Sequence, residues 1–258
     1  MMSFQRLVPI ALVTLLSPAA LLAQTPEKLL SLPIVDKAIE FHGGDLFRHS
    51  TTSLTITSAS GNFMIEARLD GGLFDYVVAG AVGREQIARK VHWSNDVTER
   101  WDDGAAVDLD DDTAQQARDF VNARIYFPYL PYRLNDGNTY KEDLGLEEWD
   151  GKTLHKVRVS FREGTSTDDD DQYLYWFDPE TGRMEQLAYS FTVGNGGLRL
   201  RKVTEYMRVG GLLFTNQENY AIDGQGMSVN QITPEFAADE MELMSTVKLT
   251  DIDVTPLP

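Results

Sequence analysis

The chain has no cysteine. That excludes a thiol nucleophile, a thiolate metal centre, a lipid anchor carried on cysteine and any disulfide. Stability has to come from a packed core, and a chain of this length can build one. Cations are scarce: 23 Lys and Arg stand against 40 Asp and Glu, a formal net charge of −17 at pH 7. Such a surface repels phosphate backbones and anionic lipid head groups, which disfavours nucleic acid as a partner. Long hydrophobic runs are missing as well. The nearest approach, Leu7 to Leu16, is interrupted by Pro9 and is about half of the ~20 apolar residues that a membrane-spanning helix needs. Also absent are a GxSxG elbow, a phosphate-cradling GxxxxGK[ST] loop and a dinucleotide GxGxxG pattern.

What the first residues do have is an order. Arg6 precedes the apolar run, small residues follow, and Ala23 stands before polar Gln24 in "LSPAALLAQTPEK". A positive start, an apolar middle and a small residue at the cut make a secretory signal peptide, with cleavage expected near Ala23. The protein is then expected to be periplasmic or secreted and not transmembrane, with residues 24–258 forming one domain.

Turn chemistry recurs along that domain. Asp-Gly pairs occur at 70–71, 103–104, 136–137, 150–151 and 223–224, joined by "DPETG" (178–182) and "VGG" (209–211). These residues supply the positive φ of tight hairpins. The segments between them alternate: His155, Val157, Val159 and Phe161 share one face of "LHKVRVSFR", and Leu187, Tyr189, Phe191 and Val193 one face of "RMEQLAYSFTV". Period two with short turns predicts antiparallel strands with one wet face, about ten or eleven of them. Two strands change phase. Leu198 and Leu200 oppose Val203, Met207 and Val209, and Leu249 opposes Ile252. Bulges of the kind that curve a sheet account for both.

Helical spacing is rare. It covers 34–41, ending at Gly43–Gly44, and 112–126, with Asp112 as N-cap and Pro128 as the stop. After the second helix comes "RIYFPYLPYRLND", in which Pro128 and Pro131 are expected to keep the chain extended. A one-layer curved sheet must cover its apolar face, and this helix with its aromatic tail is the natural cover. The apolar candidates for a lid or cavity are Phe120, Ile125, Tyr126, Phe127, Tyr129, Leu130 and Tyr132, with Tyr189 and Phe191 on the sheet.

Metal chemistry has weak support. His42, Asp45 and His49 straddle a helix end, and His42 is expected to interact with the helix dipole. Acids at 108, 110, 112 and 119 have EF-hand spacing, but Thr113 replaces the required Gly. The run Asp168, Asp169, Asp170 and Asp171 reads as a solvated hairpin tip with at most weak calcium affinity. His155 is expected in the core. No cofactor is implied, and abundant carboxylates alone do not define a glycan hydrolase.

Three pieces in order carry a resemblance: a helix "AIEFHGG" leading into the strand "TSLTITSAS", two strands joined in "YLYWFDPETGRMEQLAYSF", and the hairpin "LRLRKVTEYMRVGGLLFTNQENY". The sequence resembles the LolA/LolB-like lipoprotein-carrier superfamily over residues 35–254. The resemblance implies a mainly β fold: a strongly curved, incompletely closed antiparallel barrel, with a short N-terminal helix and one longer helix covering the concave face. It also implies a carrier that holds acyl chains there. The expected function is non-catalytic binding of an acyl chain, lipoprotein or other apolar ligand. The alternative is an envelope assembly module that binds another protein through residues 126–132.

Overall fold

A computed structural model describes residues 29–164, 171–191, 196–223 and 227–258. The expected signal peptide and Asp168–Asp170 lie outside the described residues. The chain forms β1 (His49–Ser58), β2 (Gly61–Asp70), β3 (Leu73–Val82), β4 (Ile87–Ser94), β5 (Thr98–Asp102) and β6 (Ala105–Ala106). A second run follows: β7 (Thr139–Trp149), β8 (Lys152–Phe161), β9 (Gln172–Phe177), β10 (Met184–Phe191), β11 (Gly197–Val209), β12 (Leu212–Ile222) and β13 (Met241–Pro256). The helices are α1 (Pro33–His42), α2 (Asp111–Ile125) and α3 (Pro234–Glu240).

All thirteen strands belong to one antiparallel sheet, ordered β6-β5-β4-β3-β2-β1-β13-β12-β11-β10-β9-β8-β7. The count exceeds the sequence-based expectation; β6, at two residues, is too short to show a period. Two meanders are zipped together where the last strand pairs with the first. The outermost strands, β6 and β7, are consecutive in the chain yet lie at opposite edges. Their connection therefore has to travel across the sheet, and it is this connection that contains α2 and the aromatic tail.

Bulges bend the sheet where the sequence changes phase. Pairing shifts between Val203 and Glu205 in β11, and between Ser53 and Thr55 opposite Asp251–Ile252, where Asp251 takes φ 52°. The Asp-Gly pairs divide by context. Asp150–Gly151 (φ 50° and 76°) and Asp103–Gly104 (φ 50° and 82°) make hairpin turns. Asp136–Gly137 follows the covering segment and joins no hairpin, and Gly224 lies outside the described residues. In the DPETG turn, Gly182 (φ 82°) lies so close to α1 that an added Cβ would sit 2.8 Å from the backbone of Lys37 and Ala38.

Three apolar clusters hold the fold. Beneath α2, Ala117, Val121 and Ile125 pack with Ile65, Val78 and Val91. Beneath α1, Val35 and Ala38 pack with Val157, Tyr175 and Leu187. The third is on the other side of the sheet, where Trp149, Trp176, Leu198 and Leu200 are covered by Val229, Ile232 and Ala237. The expectation of a single wet face is therefore corrected for β8–β11: every residue from Tyr173 to Phe177 is buried, because the segment 229–240 covers the convex side there. Cations of β8 fasten this strap by hydrogen bonds, Arg158 donating to Asn230 Oδ1 at 2.7 Å and Lys156 to Ile232 O at 3.5 Å, while each also pairs with a carboxylate of β7, Glu142 at 2.8 Å and Glu147 at 2.9 Å.

Candidate functional site

The start of α2 is set by Asp110, not Asp112: its carboxylate accepts the Thr113 amide at 2.9 Å, and the Thr113 hydroxyl receives the Asp110 amide at 3.0 Å. This reciprocal cap satisfies two orphan donors of the first turn. The tail after α2 is not extended. It folds into turns, with Leu130 N–H donating to Phe127 O at 3.3 Å and Leu134 N–H to Pro131 O at 2.9 Å, and the Leu130–Pro131 bond is cis. Folding back lets it bury Ile125, Tyr126, Tyr129, Leu130 and Leu134 in the concave face. At roughly 1.5–3 kcal/mol for each large apolar side chain, this holds the segment in place. Its tyrosines also find partners: Tyr129 bonds Thr52, and Tyr126 bonds the Tyr175 hydroxyl at 2.9 Å. Burial pushes the pKa of both Tyr126 and Tyr129 well above the phenol range.

Beneath Tyr129 and Leu130 the concave face is thus filled. Space remains at its rim. A cleft of about 470 Å³ opens between α2, the segment after it and the ends of β8, β9 and β10. One wall is aromatic: Tyr126, Phe127, Phe161, Tyr173, Tyr189 and Phe191. Cross-strand partners Tyr173 and Tyr189 stack at 5.3 Å, and Phe161 meets Tyr173 edge-on at 5.7 Å. The opposite wall is polar, with Gln115, Arg118, Asp119 and Asn122 from α2 and Arg133, Asp136 and Asn138 beyond it. Arg118 is oriented by Gln115 at 2.7 Å, and Arg133 pairs with Asp136 at 2.7 Å. Burial works most strongly against the Arg133 charge, but Asp136 together with Tyr76 and Tyr126 outweighs it, and the net pKa shift is upward. Asp171, the one member of the acidic run within the described residues, is buried at this cleft.

Of the nine apolar candidates, the cleft brings together Tyr126, Phe127, Tyr189 and Phe191. Ile125, Tyr129 and Leu130 are core residues. Phe120 packs edge-on against Phe63 at 5.9 Å with Arg124 over its ring at 3.7 Å, and Tyr132 stacks on Phe47 at 5.2 Å; neither faces the cleft. Sequence reasoning missed Tyr173, Phe161 and Arg118. The signal for the first was present, since Tyr173 alternates in phase with Tyr175 and Phe177.

Other sequence expectations change. His42 is fully buried and accepts the Met184 amide on Nε2 at 3.2 Å. Burial lowers its pKa to about 4, against a hydrogen bond to the Leu213 backbone that raises it, so it is a neutral core residue and not a cation at a helix end. His155 shares a face with Val157 but is half-buried and hydrogen-bonds Asp143 through Nε2 at 2.7 Å. The spacing Ser245-x-x-Lys248 fits a nucleophile and base, yet it lies within β13, where residues three apart point to opposite faces. Among the described residues, no three His, Asp or Glu side chains are grouped to hold a metal ion.

The chain belongs to the family of unknown function DUF6503, whose profile matches residues 13–248. No curated protein matches it. Among solved structures it is similar to a LolA superfamily protein from Nitrosomonas europaea, with 11% identity and a TM-score of 0.49 over 87% of this chain and 93% of that one. It is also similar to a DUF1329 family protein from Desulfovibrio piger, with 9% identity and a TM-score of 0.48 over 85% and 91% of the two chains. The first belongs to the superfamily that the sequence resembles. No helix among the described residues is long and apolar enough to cross a membrane.

Proposed function

We propose that the protein is an exported, non-catalytic carrier that binds an acyl chain or another apolar molecule in the rim cleft, acting in the periplasm after cleavage near Ala23. The observation that carries this reading is the aromatic wall facing a space of about 470 Å³, within the ~300–1,000 Å³ of ordinary small-ligand pockets. The LolA/LolB-like resemblance of the sequence supports a lipidic cargo. The turns and buried anchors of residues 125–134 support a fixed cover flanking the cleft. Docking of a partner protein through residues 126–132 finds less support, because Tyr126, Tyr129 and Leu130 are buried and present no apolar patch.

The test is native mass spectrometry of the purified protein, followed by displacement of a fluorescent naphthalene-sulfonate probe with hexadecanol. Co-purified lipid and saturable displacement are expected, with affinity at least tenfold weaker in Tyr189→Ala. Absence of both lipid and displacement would overturn the carrier role.

A further inference from the structure

Beneath Phe127 the concave face is not apolar. Arg201, on β11, lies with its guanidinium 3.5 Å from the centre of the Phe127 ring, and its Nη2 donates to the Tyr189 hydroxyl at 3.3 Å. Its Nε is buried without a hydrogen-bond partner, and no carboxylate among the described residues forms an ion pair with it. Directly across the ladder stands Asn219, whose Oδ1 is also buried and unpartnered. Two residues along the same strand, Gln217 leaves its Oε1 in the same condition. Cross-strand partners share a face, and Gln217 lines a narrow space of about 10 Å³ beneath Phe127 and Pro128.

A buried guanidinium N–H without an acceptor is costly in a core and calls for an acceptor group that completes it, while the two carboxamide oxygens, acceptors themselves, mark the patch as polar. Phe127 and Tyr189, which cover the patch, also line the cleft, so rotation of Phe127 off the guanidinium would join the two spaces. The arginine fork matches the paired oxygens of a carboxylate or phosphate. At the mouth, Arg133 is neutralised by Asp136, and Asp119 and Asp171 disfavour an anion that stops there. Arg118, also at the mouth, is held by the Gln115 carboxamide, which in turn donates to Asp119, so the cation that an acidic group meets beneath the aromatic wall is Arg201.

Taking the carrier reading as given, we propose that Arg201 is the head-group site: the ligand is an acyl chain ending in a carboxylate or phosphate. Its chain lies along Tyr126, Tyr173 and Tyr189, and its acidic end replaces Phe127 on the guanidinium. The same donors would serve a free fatty acid and a lysophospholipid acid.

The test compares palmitate, 1-palmitoyl-glycerol-3-phosphate and hexadecanol by isothermal calorimetry on the full chain without its leader. At least one acid should bind about tenfold more tightly than the alcohol, the gain expected of one charge-assisted pair, and the tighter acid identifies the source. R201Q should lose that preference, binding acid and alcohol with the same affinity, and R201K should keep part of it. Equal binding of acid and alcohol by the parent protein, or a preference that survives in R201Q, would overturn the assignment and leave the carrier role standing. Failure of all three ligands would remove both. If R201Q does not fold, R201K decides in its place: an acid preference reduced in R201K supports the assignment, and one left at the parent's value overturns it.

Discussion

The hydroxyl of Tyr126 lies 2.9 Å from the hydroxyl of Tyr175, and both rings are buried. One residue ends the covering helix and the other stands in the middle of β9, so this bond, like that of Tyr129 to Thr52, ties the connection between the sheet's two edges to the sheet itself. Removing one hydroxyl strands the other without water. Tyr126→Phe and Tyr175→Phe should each destabilise the fold by about 1–3 kcal/mol. The double variant should cost less than the two singles added together, because neither oxygen is then left unpaired. Urea unfolding followed by tryptophan fluorescence measures all three.

His42 makes stability depend on pH. In the folded chain its pKa is lowered from 6.5 to about 4 by burial. The unfolded chain takes up a proton on this residue below pH 6.5, while the folded chain does so only near pH 4. The stabilising contribution is therefore complete above pH 6.5 and is lost as pH falls toward 4, by about 3 kcal/mol in all. A His42→Asn variant lacks the packing of His42 at every pH and lacks this proton linkage as well. Its deficit relative to the parent should narrow across that window, as measured by denaturant titrations at pH 7, 5.5 and 4. A deficit that stays constant would show that His42 is neutral in neither state or in both.

Much of the curvature was legible in particular residues. The phase change between Leu200 and Val203 marks the bulge in β11, and that between Leu249 and Ile252 marks the one in β13, since side chains can exchange faces only where the ladder slips. The cover over the concave face was legible from the scarcity of helices. The convex cover was not, although Tyr173–Phe177 carries no polar residue, as a strand buried on both sides should. The cleft was read in part. Tyr189 shows its face by alternation, but its meeting with Phe161 and Tyr173 depends on which strands become neighbours, and local periodicity does not contain that. Arg201 shows the same limit: its sequence context is an ordinary charged strand, and only the fold places Phe127 over it.

Gly182 is held by its surroundings as well as by its φ of 82°. Gly182→Ala would force a Cβ to within 2.8 Å of the Lys37–Ala38 backbone, which cannot give way as a flexible side chain can. A loss well above 1 kcal/mol is expected, with detachment of α1 from the DPETG turn. Gly137→Ala is the control, because its φ is not in the left-handed region and no atom lies within 4 Å of an added Cβ; its effect should stay within about 0.5 kcal/mol. Thermal melts of both variants make the comparison.

Leu130 and Phe127 are three residues apart on the same covering turn but should separate stability from binding. Leu130 is 2% exposed within the cluster beneath α1, so Leu130→Ala leaves a cavity and should cost about 2–5 kcal/mol. Phe127 is only partly buried, lines the cleft and covers Arg201. Phe127→Ala should cost distinctly less stability, because part of its ring already faces solvent and the space it leaves opens to the cleft. It also removes the ring that the ligand's acidic end must displace, so palmitate should bind the variant more tightly than the parent and hexadecanol more weakly. The two variants are compared by urea unfolding and by calorimetry with each ligand. If Phe127→Ala proves as destabilising as Leu130→Ala, or weakens both ligands alike, Phe127 is a core residue and the cleft does not extend beneath it.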